Sequence, residues 1–301
     1  MSTLDSVILG INHMFLYPLS MTDTKTHTET LIQLAENPLM DALDCWVCPS
    51  NAKEELRILR NCEKQINYNI GDRYGEVPVF PATKDAKQRA YSLDILRREC
   101  EYAVECGAKK IIFGSGPDVP DDREDAQKRF VEFVLDWSKD VPKDICLALE
   151  PVDRDIDKFA LFGTLEDTCR CVEQIKEGGF LNTGILLDMG HIPIMYETLK
   201  SAIDKCGKLL NHIHLGNCVL KNKENPLYGD KHPCWGAPDG EYNEKDGEEM
   251  LRLLKAQGYL SRGYDQTISF EMRPLIGKNS EQTVEYLAAW FKRVYSDLIC
   301  S

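Results

Sequence analysis

At 301 residues the chain can bury a large core, and its formal net charge of -13 disfavours the phosphate attraction on which nucleic-acid binders depend. No uninterrupted apolar run approaches the roughly 20 residues that span a bilayer, and the twelve cysteines are scattered, not framed as a disulfide set. The early Asp5 does not fit the positive-then-apolar order of a secretory signal, so the expected setting is the cytoplasm, with a small molecule as partner and neither nucleic acid nor membrane. Homo-oligomerisation is compatible with the sequence.

In chain order, Ser6 to Asn12 reads as a buried strand, and Thr22 to Asn37 as a helix carrying Leu31, Ile32 and Leu34. Ala42 to Cys48 is a second strand followed by a charged helix from Lys53 to Lys64. Ile66 to Ile70 is a third, followed by the Gly71–Gly75 loop and a long helical segment from Asp85 to Cys106. Lys110 to Gly114 gives strand four, and the spacing of apolar residues over Arg123 to Lys139 predicts an amphipathic helix. Strand five is Ile145-Cys-Leu-Ala-Leu-Glu150, ended by Pro151, which forbids the ladder from continuing. Thr164 with Asp167 three residues later is a variant capping box opening a helix that stops at Gly178-Gly179.

Strands six, seven and eight are Gly184 to Asp188, Leu210 to Leu215 and Thr267 to Glu271. Helices around Tyr196 to Lys205, Asp246 to Gln257 and Glu281 to Leu298 complete the pattern. Eight strand–helix alternations with no linker, repeat or leftover segment predict an α/β fold, one (β/α)8 TIM barrel domain over residues 1–301. An open doubly wound sheet is the alternative, but no Gly-x-Gly-x-x-Gly follows the first strand.

In such a barrel, functional groups sit at the C-terminal strand ends. Four adjacent strands end in Glu150, Asp188, His214 and Glu271, each a metal-capable side chain. Any one acid at a strand end reads more readily as a cap or ion-pair partner; four in matching positions read as a metal site. Three carboxylates and one imidazole form a hard, oxygen-rich set for one divalent ion, Mn²⁺ first, with Mg²⁺, Co²⁺ or Zn²⁺ as alternatives. His13, Trp46, Tyr68 and Trp235 fall at predicted strand ends or loops on the same face. His13 and Trp46 are candidates to line a substrate pocket, and core packing is an equal alternative for Trp46 and Tyr68. Arg273 stands two residues past Glu271, where it would bind an anionic group or pair with the carboxylates. Cys45 and Cys48 have redox spacing, but three apart on a strand they face opposite sides.

The motifs resemble, over nearly the whole chain, the sugar isomerase/epimerase group of xylose isomerase-like barrels. That group includes ketose 3-epimerases and, more distantly, type IV apurinic-site endonucleases. Glu150-Pro151-Val152-Asp153-Arg154 matches the Glu-Pro-x-x-Arg motif of the epimerases, and Asp188-Met189-Gly190-His191 their Asp-x-x-His. His212-Ile213-His214 and the closing Glu271 match the rest, and it is their order and spacing together that is specific.

The resemblance implies that Glu150 and Glu271 trade a proton on opposite faces of a ketose through a metal-stabilised enediolate. It also implies that His191 bonds a substrate oxygen and that Arg154 belongs to the substrate-side motif. The chain departs from the pattern at Leu220, where ketose-epimerising relatives carry Arg, with Lys221 and Lys223 just after. Asp230 and His232 resemble a third-metal pair of the endonucleases, but the histidines those enzymes carry on strands three and four are missing, so both residues are expected in loop order or sugar contact. The expected activity is a metal-dependent sugar isomerase or epimerase. A lyase acting on an oxidised sugar, a repair nuclease and a sugar-binding protein follow in that order.

Overall fold

A computed structural model describes residues 7–261 and 266–300; Ser6 of the expected first strand lies outside them. The strands are β1 (Ile8–Asn12), β2 (Ala42–Cys45), β3 (Gln65–Asn69), β4 (Lys110–Phe113), β5 (Cys146–Leu149), β6 (Thr183–Asp188), β7 (Leu210–Leu215) and β8 (Thr267–Phe270). Each pairs in parallel with the next, and β1 pairs with β8 to close the barrel.

The helices are α1 (His13–Leu16), α2 (Thr24–Glu36), α3 (Ala52–Asn61), α4 (Ala86–Glu105), α5 (Arg123–Trp137), α6 (Leu165–Glu177), α7 (His191–Ile194), α8 (Leu199–Cys206), α9 (Glu244–Ala256) and α10 (Ser280–Cys300). Their starts follow local capping chemistry. Asp23 accepts from the Lys25 and Thr26 amides, Asp85 from those of Lys87 and Gln88, and Asn243 forms a capping box with Asp246. Thr164 accepts from the Asp167 amide, as expected, but the Asp167 carboxylate turns to Arg154 and Arg170 instead of closing the box. Tyr196 does not open a helix: its φ is 61°, and the reciprocal caps of Thr198 and Ser201 start α8 at Leu199. The short helices α1 and α7 were not expected.

Strand alternation decides what meets inside the barrel. Leu9, Ile11, Leu43, Ile66, Ile111, Phe113, Leu147, Leu149, Ile185, Leu187, Ile213, Ile268 and Phe270 belong to the main core shared with the helices. The intervening positions form the interior. On β4 to β6 they are apolar, with Ile112, Ala148 and Leu186 in a separate small cluster. At the start of β4 (Lys110) and around the other strands they are polar and buried: Asn12, Asp44, Asn67, His212, Thr267 and Ser269. The same parity carries Glu150, Asp188, His214 and Glu271 to the mouth. Among the described residues no helix is long and apolar enough to cross a membrane.

Candidate metal centre

Glu150 follows β5, Asp188 ends β6, His214 lies one residue before the end of β7, and Glu271 follows β8. One donor atom from each lies within 4.8 Å of every other. His214 Nδ1 is central, 2.7 Å from Glu271 Oε2 and 3.7 Å from both Glu150 Oε1 and Asp188 Oδ2. All four side chains are buried, and Asp188 Oδ2 has no hydrogen-bond partner among the described residues. An orphaned buried carboxylate oxygen costs free energy unless a cation meets it. Three carboxylate oxygens and an imidazole nitrogen around one point fit a divalent ion.

The electrostatics agree. Burial, with Asp188 close by, raises Glu271 well above the usual carboxylate range against the opposing pull of His214. Burial also raises Glu150, although His191 and His214 pull the other way. Burial works against the charge of Asp188, but His191, His214 and their neighbours overcome it and hold this carboxyl below its ordinary value. Carboxylates buried this close together repel one another, a cost that a divalent cation would offset.

A second group adjoins the first. Asp230 Oδ1 meets His191 Nε2 at 3.1 Å and His232 Nε2 at 2.7 Å, and Lys158 Nζ lies 3.2 Å from Asp230 Oδ2. Burial disfavours charge on His191, but Asp230 and Asp188 push its pKa up to about 10. Its Nδ1 donates to the Pro151 carbonyl at 3.0 Å. The Phe15 ring packs on His232 with centroids 3.9 Å apart. Arg273 frames this loop, its amide on the His232 carbonyl at 2.9 Å and its Nε on the Lys231 carbonyl at 3.0 Å.

Other candidates are not brought to the cluster. Arg154 turns away: its guanidinium bonds Asp167 at 2.7 Å and the Leu161 carbonyl at 3.1 Å. Gly163 packs so closely on the Arg154 backbone that a Cβ there would approach to 2.5 Å, so the turn ties Arg154 to the start of α6. His13 is buried against α2, bonding Thr30 Oγ1 at 2.8 Å. Trp46 packs between His27 and Arg73, with centroid distances of 4.2 Å to the imidazole and 5.0 Å to the guanidinium carbon. Tyr68 donates to Glu99 at 2.7 Å, and Trp235 to the Gly216 carbonyl at 3.0 Å. Lys221 donates to the Gly240 carbonyl at 2.8 Å. Cys45 and Cys48 are buried free thiols.

Sequence reasoning missed three residues that the fold adds. Asp44 of β2 bonds both His212 and His214. Asn12 shares its amide between Glu271 Oε1 at 2.7 Å and Asp72 Oδ2 at 3.1 Å. Asp72, on the turn after β3, is raised to about 8 by burial and then by Glu150. An acid inside the apolar stretch Ala42-Leu43-Asp44-Cys45-Trp46 is a signal that could have been read.

Residues 52–294 match the family model described as xylose isomerase-like TIM barrel. The chain belongs to that family. No curated protein matches its sequence. Among solved structures, this xylose isomerase-like barrel is similar to a D-tagatose 3-epimerase-like protein, with a TM-score of 0.70, 18% identity, and 97% and 99% of the two chains covered. It is also similar to a 3-keto-D-glucoside 4-epimerase from E. coli, at TM-score 0.65, 16% identity, and 95% and 99% coverage. An AP endonuclease of family 2 from Brucella melitensis follows at TM-score 0.63, 18% identity, and 96% and 98% coverage. At these identities the likeness is one of fold.

Proposed function

We propose that the protein is a divalent-metal-dependent sugar isomerase or epimerase that moves a proton at the carbon beside the carbonyl of a ketose or related hydroxy-carbonyl compound. The observation that carries this reading is the pairing of Glu150 and Glu271. They stand at the ends of β5 and β8, flanking Asp188 and His214, where two carboxylates can take and return a proton on either side of a bound substrate. Glu150, Asp188, His214 and Glu271 would hold the ion, whose positive charge would lower the energy of the enediolate oxygens.

One glutamate removes the carbon-bound proton, and the electron pair moves into the enediolate. The acid form of the other delivers a proton to the opposite face, which inverts the carbon. Asn12 orients the Glu271 carboxyl through the 2.7 Å bond to Oε1. His191 gives Nδ1–H to the Pro151 carbonyl and Nε2–H to Asp230, so in the expected role a substrate oxygen would take the Nε2–H in place of Asp230.

The endonuclease reading is weaker, because Ile66 to Ile70 and Ile111 to Ser115 contain no histidine. Incubation with a ketose panel in deuterated water should give metal-dependent exchange beside the carbonyl. Glu271→Gln should reduce it by about 10²- to 10⁴-fold while keeping the fold. Absence of exchange across the panel, or full activity in the variant, would sink the assignment; a product of altered mass would indicate a lyase.

A further inference from the structure

The metal centre proposed above needs His214 to present a bare Nδ1, and a neutral imidazole can carry its proton on either nitrogen. The barrel interior contains what decides between them. Asp44 Oδ2 lies 2.9 Å from His212 Nε2 and 2.8 Å from His214 Nε2. A carboxylate only accepts, so both Nε2 atoms must donate to it. Asp44 Oδ1 takes the Asn67 amide nitrogen at 2.5 Å, which points the Asn67 carbonyl at Gln65 Nε2, 3.0 Å away. Gln65 Nε2 also reaches Thr267 Oγ1 at 2.9 Å, and this hydroxyl receives the Lys110 ammonium at 3.1 Å. Thr267 Oγ1 thus accepts from both Lys110 and Gln65, and from Gln65 the donors run through Asn67 to Asp44, which only accepts.

We propose that this buried chain is a tautomer lock: Asp44, oriented through Asn67 and Gln65, keeps the proton of His214 on Nε2 and so leaves Nδ1 to the metal. The inference rests on the metal-centre reading and makes Asp44 and Asn67 positioning residues that touch neither ion nor substrate.

The lock makes a prediction that charge loss alone does not. In Asp44→Asn, the Asn67 amide still requires an acceptor, so the new NH₂ group faces the two imidazoles. His214 Nε2 must then accept, its proton moves to Nδ1, and the metal position closes, as happens when the carboxylate orienting a catalytic histidine is replaced by its amide. Adding Asn67→Asp reverses the polarity. The carboxylate introduced on β3 accepts from Gln65 and from the NH₂ of the amide introduced on β2. The carbonyl of that amide then turns to the histidines, and the charge of the network is that of the native protein.

The test titrates Zn²⁺ into the native protein, Asp44→Asn and the Asp44→Asn/Asn67→Asp pair, with circular dichroism as the folding control. Histidine ¹⁵N spectra of the Zn²⁺-loaded proteins report the tautomer. Asp44→Asn should weaken Zn²⁺ binding about 10- to 100-fold, and the double variant should recover most of that loss. Native affinity in Asp44→Asn, or a folded double variant no better than the single one, overturns the lock. Should Asp44→Asn fail to fold, the native spectrum decides: a proton on His214 Nδ1 overturns the proposal, and one on Nε2 supports it. A native protein that binds no Zn²⁺ would overturn the metal centre itself, a different failure from native binding that is indifferent to Asp44.

Discussion

Lowering the pH while titrating Zn²⁺ into the metal-free protein should weaken binding steeply, because the empty cluster stores protons that the ion must expel. His214 stands 2.8 Å from Asp44 Oδ2 and 2.7 Å from Glu271 Oε2. Burial opposes its charge, but Glu271, Asp188 and Asp44 outweigh that and raise its pKa well above 6.5. Glu271 is raised well above 4.5 by burial and by Asp188, so without metal it keeps its proton to higher pH than an ordinary carboxyl. Bound metal needs Nδ1 bare and the carboxylate ionised.

Each proton that the ion expels changes the affinity about tenfold per pH unit, or about 1.4 kcal/mol. Calorimetry between about pH 6 and about pH 8, in buffers of different ionisation enthalpy, counts the protons directly. The sign for stability follows. A carboxyl whose folded pKa is raised costs the metal-free protein stability as pH climbs from the unfolded value to the folded one. The gap in Tm between Zn²⁺-loaded and metal-free protein should widen over the same range. An affinity flat with pH and a binding heat independent of buffer would refute the shared-proton account.

Gly216 lies where a Cβ would come 2.8 Å from Asp188 Oδ1 and 3.1 Å from the Glu271 carbonyl, so Gly216→Ala should displace the Asp188 carboxylate. Zn²⁺ affinity should fall with little change in circular dichroism; unchanged affinity would show that Asp188 has room to spare. Asp72→Asn removes an acid raised to about 8 by burial and Glu150. The Tm gain over native in metal-free protein should grow from about pH 4 to about pH 8 and then level, and a gain independent of pH would count against the raised pKa. Arg154→Ala, which breaks the 2.7 Å pair with Asp167, should leave Zn²⁺ affinity intact and lower stability by at most about 1 kcal/mol. A large loss of Zn²⁺ binding would return Arg154 to the site.

Much of the barrel was legible because it is written locally. Apolar runs ending in a carboxylate or histidine, proline at 151, and the cap at Thr164 act over a few residues, and their periodicity reveals strand and helix without a partner. The grouping of Glu150, Asp188, His214 and Glu271 was read from their places at four strand ends. The start of α8 was misplaced because the Thr198 and Ser201 caps outweigh the apolar spacing around Tyr196. Side chains beyond a strand end are harder to place. Arg154 shares a motif with Glu150, yet close packing on Gly163 sends it to Asp167.

The sequence by itself determined the succession of elements and the chemistry at the strand ends, since both depend on residue type and on spacing within one segment. Only the tertiary structure decided what surrounds those ends. Asp44 and His212 are 168 residues apart, and closing the barrel brings β2 across to β7. No local pattern encodes that distance, so the acid that holds His214 reads in sequence as one polar residue in an apolar strand.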